Sequence, residues 1–488
     1  MDTPISKDQF MHSNSESPLP GRGLEGGAPG SLGGAVINAC KLCAPLGASV
    51  AFKGIRGCVP IIHGSQGCAT YIRRYLISHY KEPVDIASSN FSEESTIFGG
   101  GANCLTAIRN VISQYQPEVI GIATTCLSET IGDNIRMYIQ KYIDSEKKTK
   151  LPHFIAASTP SYQGSHIDGF HEAVAATVKS LAEGGEKEEH VNIFPGFVSP
   201  EDLRQIKSIL KDFGISFVLL PDYSETLDNT SWESYQRIPT GGTPLETVRK
   251  CGTAKASVEF GTILNKGSLS GRVKSSSPVT TAAEYLQENF QVENHRMLLP
   301  LGVTSCDRFF ETLVKVSGKE IPLKYTKERG RLIDSYIDGH KYVFGKKAVV
   351  YGEEDFVVAM SAFLNEIGME VALAASGGDS GRLENEIRKH CPENPESIAV
   401  QNGFDYEMIR EWCIRHKPDL LIGNSKAYYI SRELDIPIVR CGFPVHDRIG
   451  GQRIKHIGYP GTQELFDRIV NKLIGYNQDH SAVGYKYM

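Results

Sequence analysis

The chain has 488 residues, 40% of them apolar and 22% charged, with 52 basic and 57 acidic residues and a net charge of −5. At roughly 150 residues per domain this allows about three domains. Such a composition excludes a disulfide scaffold, a collagen-like chain and a largely disordered one. There is no basic footprint for nucleic acid and no apolar run of the roughly 20 residues a membrane helix needs.

Residues 1–36 are rich in Gly, Ser and Pro and lack apolar periodicity, so a flexible arm is expected there. The stretch has no apolar secretory core, and the eleven cysteines are an odd number. Reduced thiols and a cytoplasmic location are therefore expected.

Beyond the arm, short apolar runs alternate with helical stretches. VIGIATT (119–125), HFIAAS (153–158), VNIFPG (191–196) and ISFVLLPD (215–222) read as strands. KAVVYG (347–352), MEVALAAS (369–376), DLLIGNS (419–425) and IPIVRCGFP (436–444) read the same way. Runs without polar alternation suit strands covered on both faces of a parallel sheet. Residues 169–184, 353–368 and 404–417 have helical periodicity. The pattern predicts an α/β fold of three open parallel-sheet domains. Boundaries are expected at 37–188 for a first domain, 189–335 for a second, and 336–488 for a third with a C-terminal helix and tail.

Six of the eleven cysteines lie in the first 126 residues. NACKLCAPLGA (38–48), CVPIIHGSQGCATYIRRY (58–75) and GIATTCLSETIGD (121–133) each set a cysteine beside Gly, Ser, Thr or Pro. We expect these cysteines in loops where backbone can approach a bulky inorganic group. Cys43, Cys68 and Cys126 could together ligate an iron–sulfur cluster. Scattered cysteines in a reducing compartment are, on spacing alone, more often inert. A zinc ribbon would need a second CxxC beside CKLC, and there is none. There is no GxxxxGK[ST] phosphate loop. FGGGAN (98–103) reads as a turn opening a helix. His63 reads as a structural hydrogen-bonding residue, His166 as one that orders the Ser161 turn or packs at a subunit interface, and Arg73 and Arg74 as charge near the cysteines. Asp334 and Asp338, four apart, share one helix face.

CAPLGA, HGSQGC followed by Arg73 and Arg74, FGGGAN, TTCLSETIGD and TPSYQGSHIDGF occur in that order. With VNIFPGF, TKERGRLID, GNS and GFPVHDR they resemble the nitrogenase component 1 superfamily, β-type subunit, over about residues 36–475. The resemblance implies an α2β2 assembly with an α-type subunit and an iron–sulfur cluster at their interface, either [4Fe-4S] or a P-cluster-like [8Fe-7S]. It implies Cys43, Cys68 and Cys126 as this chain's ligands, and Ser161 as a position able to bind iron in an oxidised double cluster. Glu82, Asp334 and Asp338 match carboxylates that can hold a hard cation between two β subunits. An ATP-dependent iron protein is the implied electron donor. The stretch RIGGQRIKHIGYPGTQELFD resembles the cofactor-assembly scaffold subunits (NifN-like). The expectation is therefore a scaffold for iron–molybdenum cofactor synthesis with a NifE-like partner. The alternatives are a catalytic β chain with a NifD-like partner, which would be an oxidoreductase subunit, or a related reductase such as one acting on methylthio-alkanes.

Overall fold

Three parallel sheets follow one another along the chain. The computed structural model describes residues 39–146, 150–263, 280–393 and 395–482. The arm expected over residues 1–36 lies outside the described residues.

The first sheet contains β1 (Cys58–His63), β2 (Ala87–Ser88), β3 (Val119–Thr124) and β4 (His153–Ala157), in the order β2-β1-β3-β4. The second contains β5 (Glu188–Phe194), β6 (Ser216–Leu219), β7 (Ala254–Phe260) and β8 (Glu293–Met297), in the order β6-β5-β7-β8. The third contains β9 (Lys347–Gly352), β10 (Glu370–Ser376), β11 (Ala399–Gln401), β12 (Leu420–Gly423) and β13 (Ile438–Arg440), in the order β11-β10-β9-β12-β13. Helices cross between parallel neighbours, as the alternating pattern requires.

Every residue of β1 and β3 is buried, as expected of strands covered on both faces. Val59, Ile61, Ile120 and Ile122 pack with Cys104 and Ile108 of the helix Gly101–Tyr115. Cys58, Ile62, Val119 and Ala123 join the core with Phe52 and Phe170. Gly121 makes room for that second face: a Cβ there would sit 2.4 Å from the Phe52 ring. This seats the helix Ala44–Lys53 against the sheet, with Cys43 at its start.

The helix Leu323–Val343 packs against the C-terminal helix Gly458–Asp479. Gly339 is the close-approach point, since a Cβ there would meet the Phe466 ring at 2.5 Å. No helix among the described residues is long and apolar enough to cross a membrane.

Candidate metal-cluster site

Parallel strands β1 and β3 run in register to their ends, where His63 pairs with Thr124. Whatever follows each strand emerges at the same sheet edge, the edge where open parallel sheets bind ligands. After β1 comes the turn at Gly64 and Ser65, then the helix Gln66–Tyr80 with Cys68 in its first turn. After β3 comes Thr125, then the helix Cys126–Thr130 with Cys126 as its first residue. The two turns touch. Thr125 Oγ1 donates to the His63 carbonyl at 3.0 Å, and a Cβ on Gly64 would sit 2.4 Å from Thr125 Oγ1.

Cys43 arrives from another direction. It caps the helix Ala44–Lys53, but its side chain accepts no capping hydrogen bond, so the sulfur is not committed to the helix. Burial pushes the Cys43 thiol up to about 11, and the nearby Cys68 and Cys126 thiols push the same way. Cys68 and Cys126 thus follow the paired ends of β1 and β3, and Cys43 lies in their neighbourhood. They stand at helix starts rather than in the open loops expected from sequence. Cys43 is half-buried and Cys68 and Cys126 are exposed, so the group opens outward.

Ser161 joins them. Its N–H donates to Cys126 Sγ at 3.2 Å, and its Oγ accepts from the Ala44 N–H at 3.0 Å. A soft donor set of free thiols with a backbone N–H aimed at one sulfur suits an iron–sulfur cluster. Among the described residues, no group of three or more His, Cys, Asp or Glu side chains is arranged to hold a metal ion.

The histidines near this edge are structural. His63 Nε2 lies 2.9 Å from Asp133 Oδ2, and burial lowers its pKa. Asp133 also accepts from the Gly100 N–H at 3.0 Å and from the Tyr138 hydroxyl at 2.8 Å. The glycine turn before the helix Gly101–Tyr115 thus serves close packing: a Cβ on Gly100 would meet the Phe91 ring at 2.2 Å. His166 is buried, and burial lowers its pKa to about 3, so it is neutral. Arg73 Nε donates to the Val84 carbonyl at 3.2 Å, while Arg74 is exposed.

Glu82, Asp334 and Asp338 are not gathered into one group among the described residues. Glu82 is half-buried and accepts from the Asn229 N–H at 3.1 Å. Asp334 and Asp338 are exposed on the helix Leu323–Val343. Cys40 and Cys58 are buried, as are Cys251, Cys306, Cys391, Cys413 and Cys441. Burial pushes Cys40 up to about 11 and Cys58 up to about 12, as expected of thiols packed as small hydrophobes.

Sequence reasoning did not reveal how the Cys43 helix is seated. A Cβ on Gly47 would lie 1.6 Å from the His166 carbonyl oxygen, and one on Gly169 would lie 1.9 Å from the Ala44 carbonyl oxygen. The helices Ala44–Lys53 and His166–Leu181 therefore cross in backbone contact at two glycines. The available signal was a glycine near the start of each helix, in CAPLGA and in HIDGF.

Residues 43–474, beginning at the first of the three cysteines, match the family described as "Nitrogenase component 1 type Oxidoreductase". The chain belongs to the nitrogenase component 1 family. This component 1 chain is similar to the "Nitrogenase molybdenum-iron protein beta chain" of Clostridium pasteurianum. The two are 36% identical over 440 residues, covering 90% of this chain and 93% of that one. It is similar to the protein of the same name from Azotobacter vinelandii, at 31% identity over 459 residues, covering 90% and 84%. The solved structure "Nitrogenase Cp1 at pH 6.5" superposes with a TM-score of 0.88 at 34% identity, covering 94% of this chain and 98% of that one.

Proposed function

We propose that this chain is the β-type subunit of a nitrogenase-type reductase. It pairs with an α-type subunit in an α2β2 assembly. Cys43, Cys68 and Cys126 hold an iron–sulfur cluster shared with that subunit. The observation that carries this reading is the meeting of three thiols and Ser161 at one outward-facing sheet edge.

When bound, the cluster supplies reversible one-electron storage between an ATP-dependent iron protein and the site of reduction in the α-type subunit. This chain's own residues hold and orient it. The Ser161 N–H withdraws electron density from the Cys126 sulfur, which favours the reduced state. Ser161 Oγ fixes the first peptide after Cys43. The open side of the group needs a partner surface to exclude water. By the family resemblance, Glu82, Asp334 and Asp338 would contribute oxygen ligands to a hard-cation site where two copies of this chain meet.

Two features favour a catalytic reductase over an assembly scaffold. The relatives named above are called β chains of the molybdenum–iron protein. The full set of three cysteines with Ser161 also suits a double cluster of the [8Fe-7S] kind. Nitrogen reduction is the activity this implies, with another small reducible molecule as the alternative substrate. The scaffold reading retains one observation in its favour, the scaffold-like stretch around RIGGQRIKHIGYPG.

EPR on the complex, purified anaerobically with its α-type partner and reduced with dithionite, separates the two. A silent reduced state with high iron content supports the catalytic reading. A paramagnetic reduced cubane supports the scaffold. A colourless, iron-free complex refutes both.

A further inference from the structure

The residue before Cys43 is clamped twice by a single residue, once through its backbone and once through its ring. The His166 N–H donates to the Leu42 carbonyl at 3.0 Å, and the Leu42 N–H donates to His166 Nδ1 at 3.4 Å. The residue after Cys43 is tied by Ser161. His166 is itself firmly placed. It opens the helix His166–Leu181, whose start is fixed by a reciprocal Ser165–Asp168 capping box. Its carbonyl is the surface on which Gly47 of the Cys43 helix rests.

The ring of His166 reaches the other two sheets. It meets Phe197, just after β5, at 5.4 Å and 85°, and Phe443, just after β13, at 5.9 Å and 37°. Nε2 is buried without a hydrogen-bond partner. With Nδ1 accepting from Leu42, Nε2 carries the proton and has nothing to donate it to. An unpaired buried donor is costly. A phenylalanine would fill the same gap between the two rings without that cost. What the imidazole adds is the acceptor at Nδ1, and that acceptor is spent on the peptide next to Cys43. Just upstream, the Cys40 N–H donates to the Phe404 carbonyl at 3.2 Å, so the approach to Cys43 is also tied to the third sheet's domain.

We infer that His166 is a positioning residue for the cluster, setting where the Cys43 sulfur stands relative to Cys68 and Cys126 and coupling that position to the second and third sheets. The inference rests on the cluster reading above. It assigns His166 no contact with iron. Its effect on the cluster passes through the Leu42 peptide and the Cys43 backbone.

The test uses the complete complex with its α-type partner, purified anaerobically, in three variants. His166→Phe keeps the ring contacts and removes the Nδ1 acceptor. His166→Asn restores an acceptor near the Nδ1 position. Cys43→Ala removes the thiol. The readouts are the rate of iron loss to an added chelator and the EPR line shape of the oxidised and reduced states. Residues that orient metal ligands typically change metal affinity ten- to a hundredfold. His166→Phe is expected to lose iron about tenfold faster with altered EPR, and His166→Asn to return toward the parent.

Parent-like iron loss and spectra in His166→Phe would overturn the inference. If His166→Phe does not assemble, His166→Asn is compared with His166→Gln, whose amide extends past the Nδ1 position. Equal iron loss in those two also overturns it. Cys43→Ala separates the readings. If it leaves the iron in place, the cluster assignment falls and the inference falls with it. If it removes iron while His166→Phe matches the parent, only the inference falls.

Discussion

Ser161 joins two of the cysteines through its own two polar groups: its N–H donates to the Cys126 sulfur at 3.2 Å, and its hydroxyl accepts from the Ala44 N–H, next to Cys43, at 3.0 Å. Replacing it with alanine keeps the first bond and removes the second. Ser161→Ala should keep its iron, because the three cysteines are the proposed ligands. It should lower the thermal midpoint of the complex, since one partly buried N–H loses its acceptor at about 1 kcal/mol. The potential of the cluster's oxidation step should shift. Voltammetry and a melting curve check both, and a variant unchanged in each would show that the Ser161 hydroxyl plays no part in the site.

The glycine crossing beneath Cys43 gives a sharper test. A Cβ at Gly47 would overlap the His166 carbonyl oxygen, and that neighbour is backbone that cannot swing aside. Gly47→Ala should therefore cost several kcal/mol, about 3 or more by analogy with severe overpacking, and should lower iron occupancy by moving Cys43. Gly330→Ala is the control. Gly330 lies within the helix Leu323–Val343 with nothing within 4 Å of its added Cβ. That variant should be neutral or stabilised by about 0.5–1 kcal/mol. Differential scanning of the two variants beside the parent measures the contrast.

Strands with unbroken aliphatic runs were legible in sequence. VIGIATT and KAVVYG lie at β3 and β9 because burial on both faces leaves no polar alternation. Strands carrying polar groups were not. β1 contains Pro60 and was read as part of a cysteine loop. β7 and β8 carry Glu259 and Arg296, which look like surface residues in AKASVEF and ENHRM. They are register partners on neighbouring strands, and Glu259 is buried against Arg296 at 2.6 Å. Each charge makes the other's burial possible, and no single segment reveals that. For the site, cysteine identity was legible from motif order. The positions at helix starts, the glycine crossing and the His166 clamp are long-range contacts that neither spacing nor periodicity encodes.

The Glu259–Arg296 pair predicts an asymmetry. Burial raises the Glu259 pKa, and Arg296 opposes the shift. Arg296→Leu strands a buried carboxylate and should destabilise by about 3–5 kcal/mol. Glu259→Gln removes the charge that needs a partner and should cost less. Comparable losses in chemical denaturation of the two variants would contradict this account of why the two polar strands sit inside the sheet.

Glu354 makes stability depend on pH. Burial raises its pKa from 4.5 to about 7; hydrogen bonds from Ser380 oppose the shift, and the carboxylates of Asp168 and Asp355 add to it. The folded form thus binds a proton that the unfolded form has already released between those values. Its contribution to stability is full below the unfolded pKa and is lost as pH rises through about 7. Glu354→Gln carries no such proton and can still accept from Ser380. The melting point of the parent should fall relative to Glu354→Gln between about pH 5 and about pH 8. Parallel curves would show that Glu354 is ionised throughout.

The most direct test of the central claim is the iron content of the complex purified anaerobically with its α-type partner, comparing the parent with Cys68→Ala and, as a buried control, Cys251→Ala. Cys68 is exposed at the sheet edge among the three thiols, and Cys251 is buried in the core. The account predicts a brown parent, a Cys68→Ala complex depleted of iron, and a Cys251→Ala complex with the parent's iron. Cys68→Ala complex that keeps the parent's iron would contradict it.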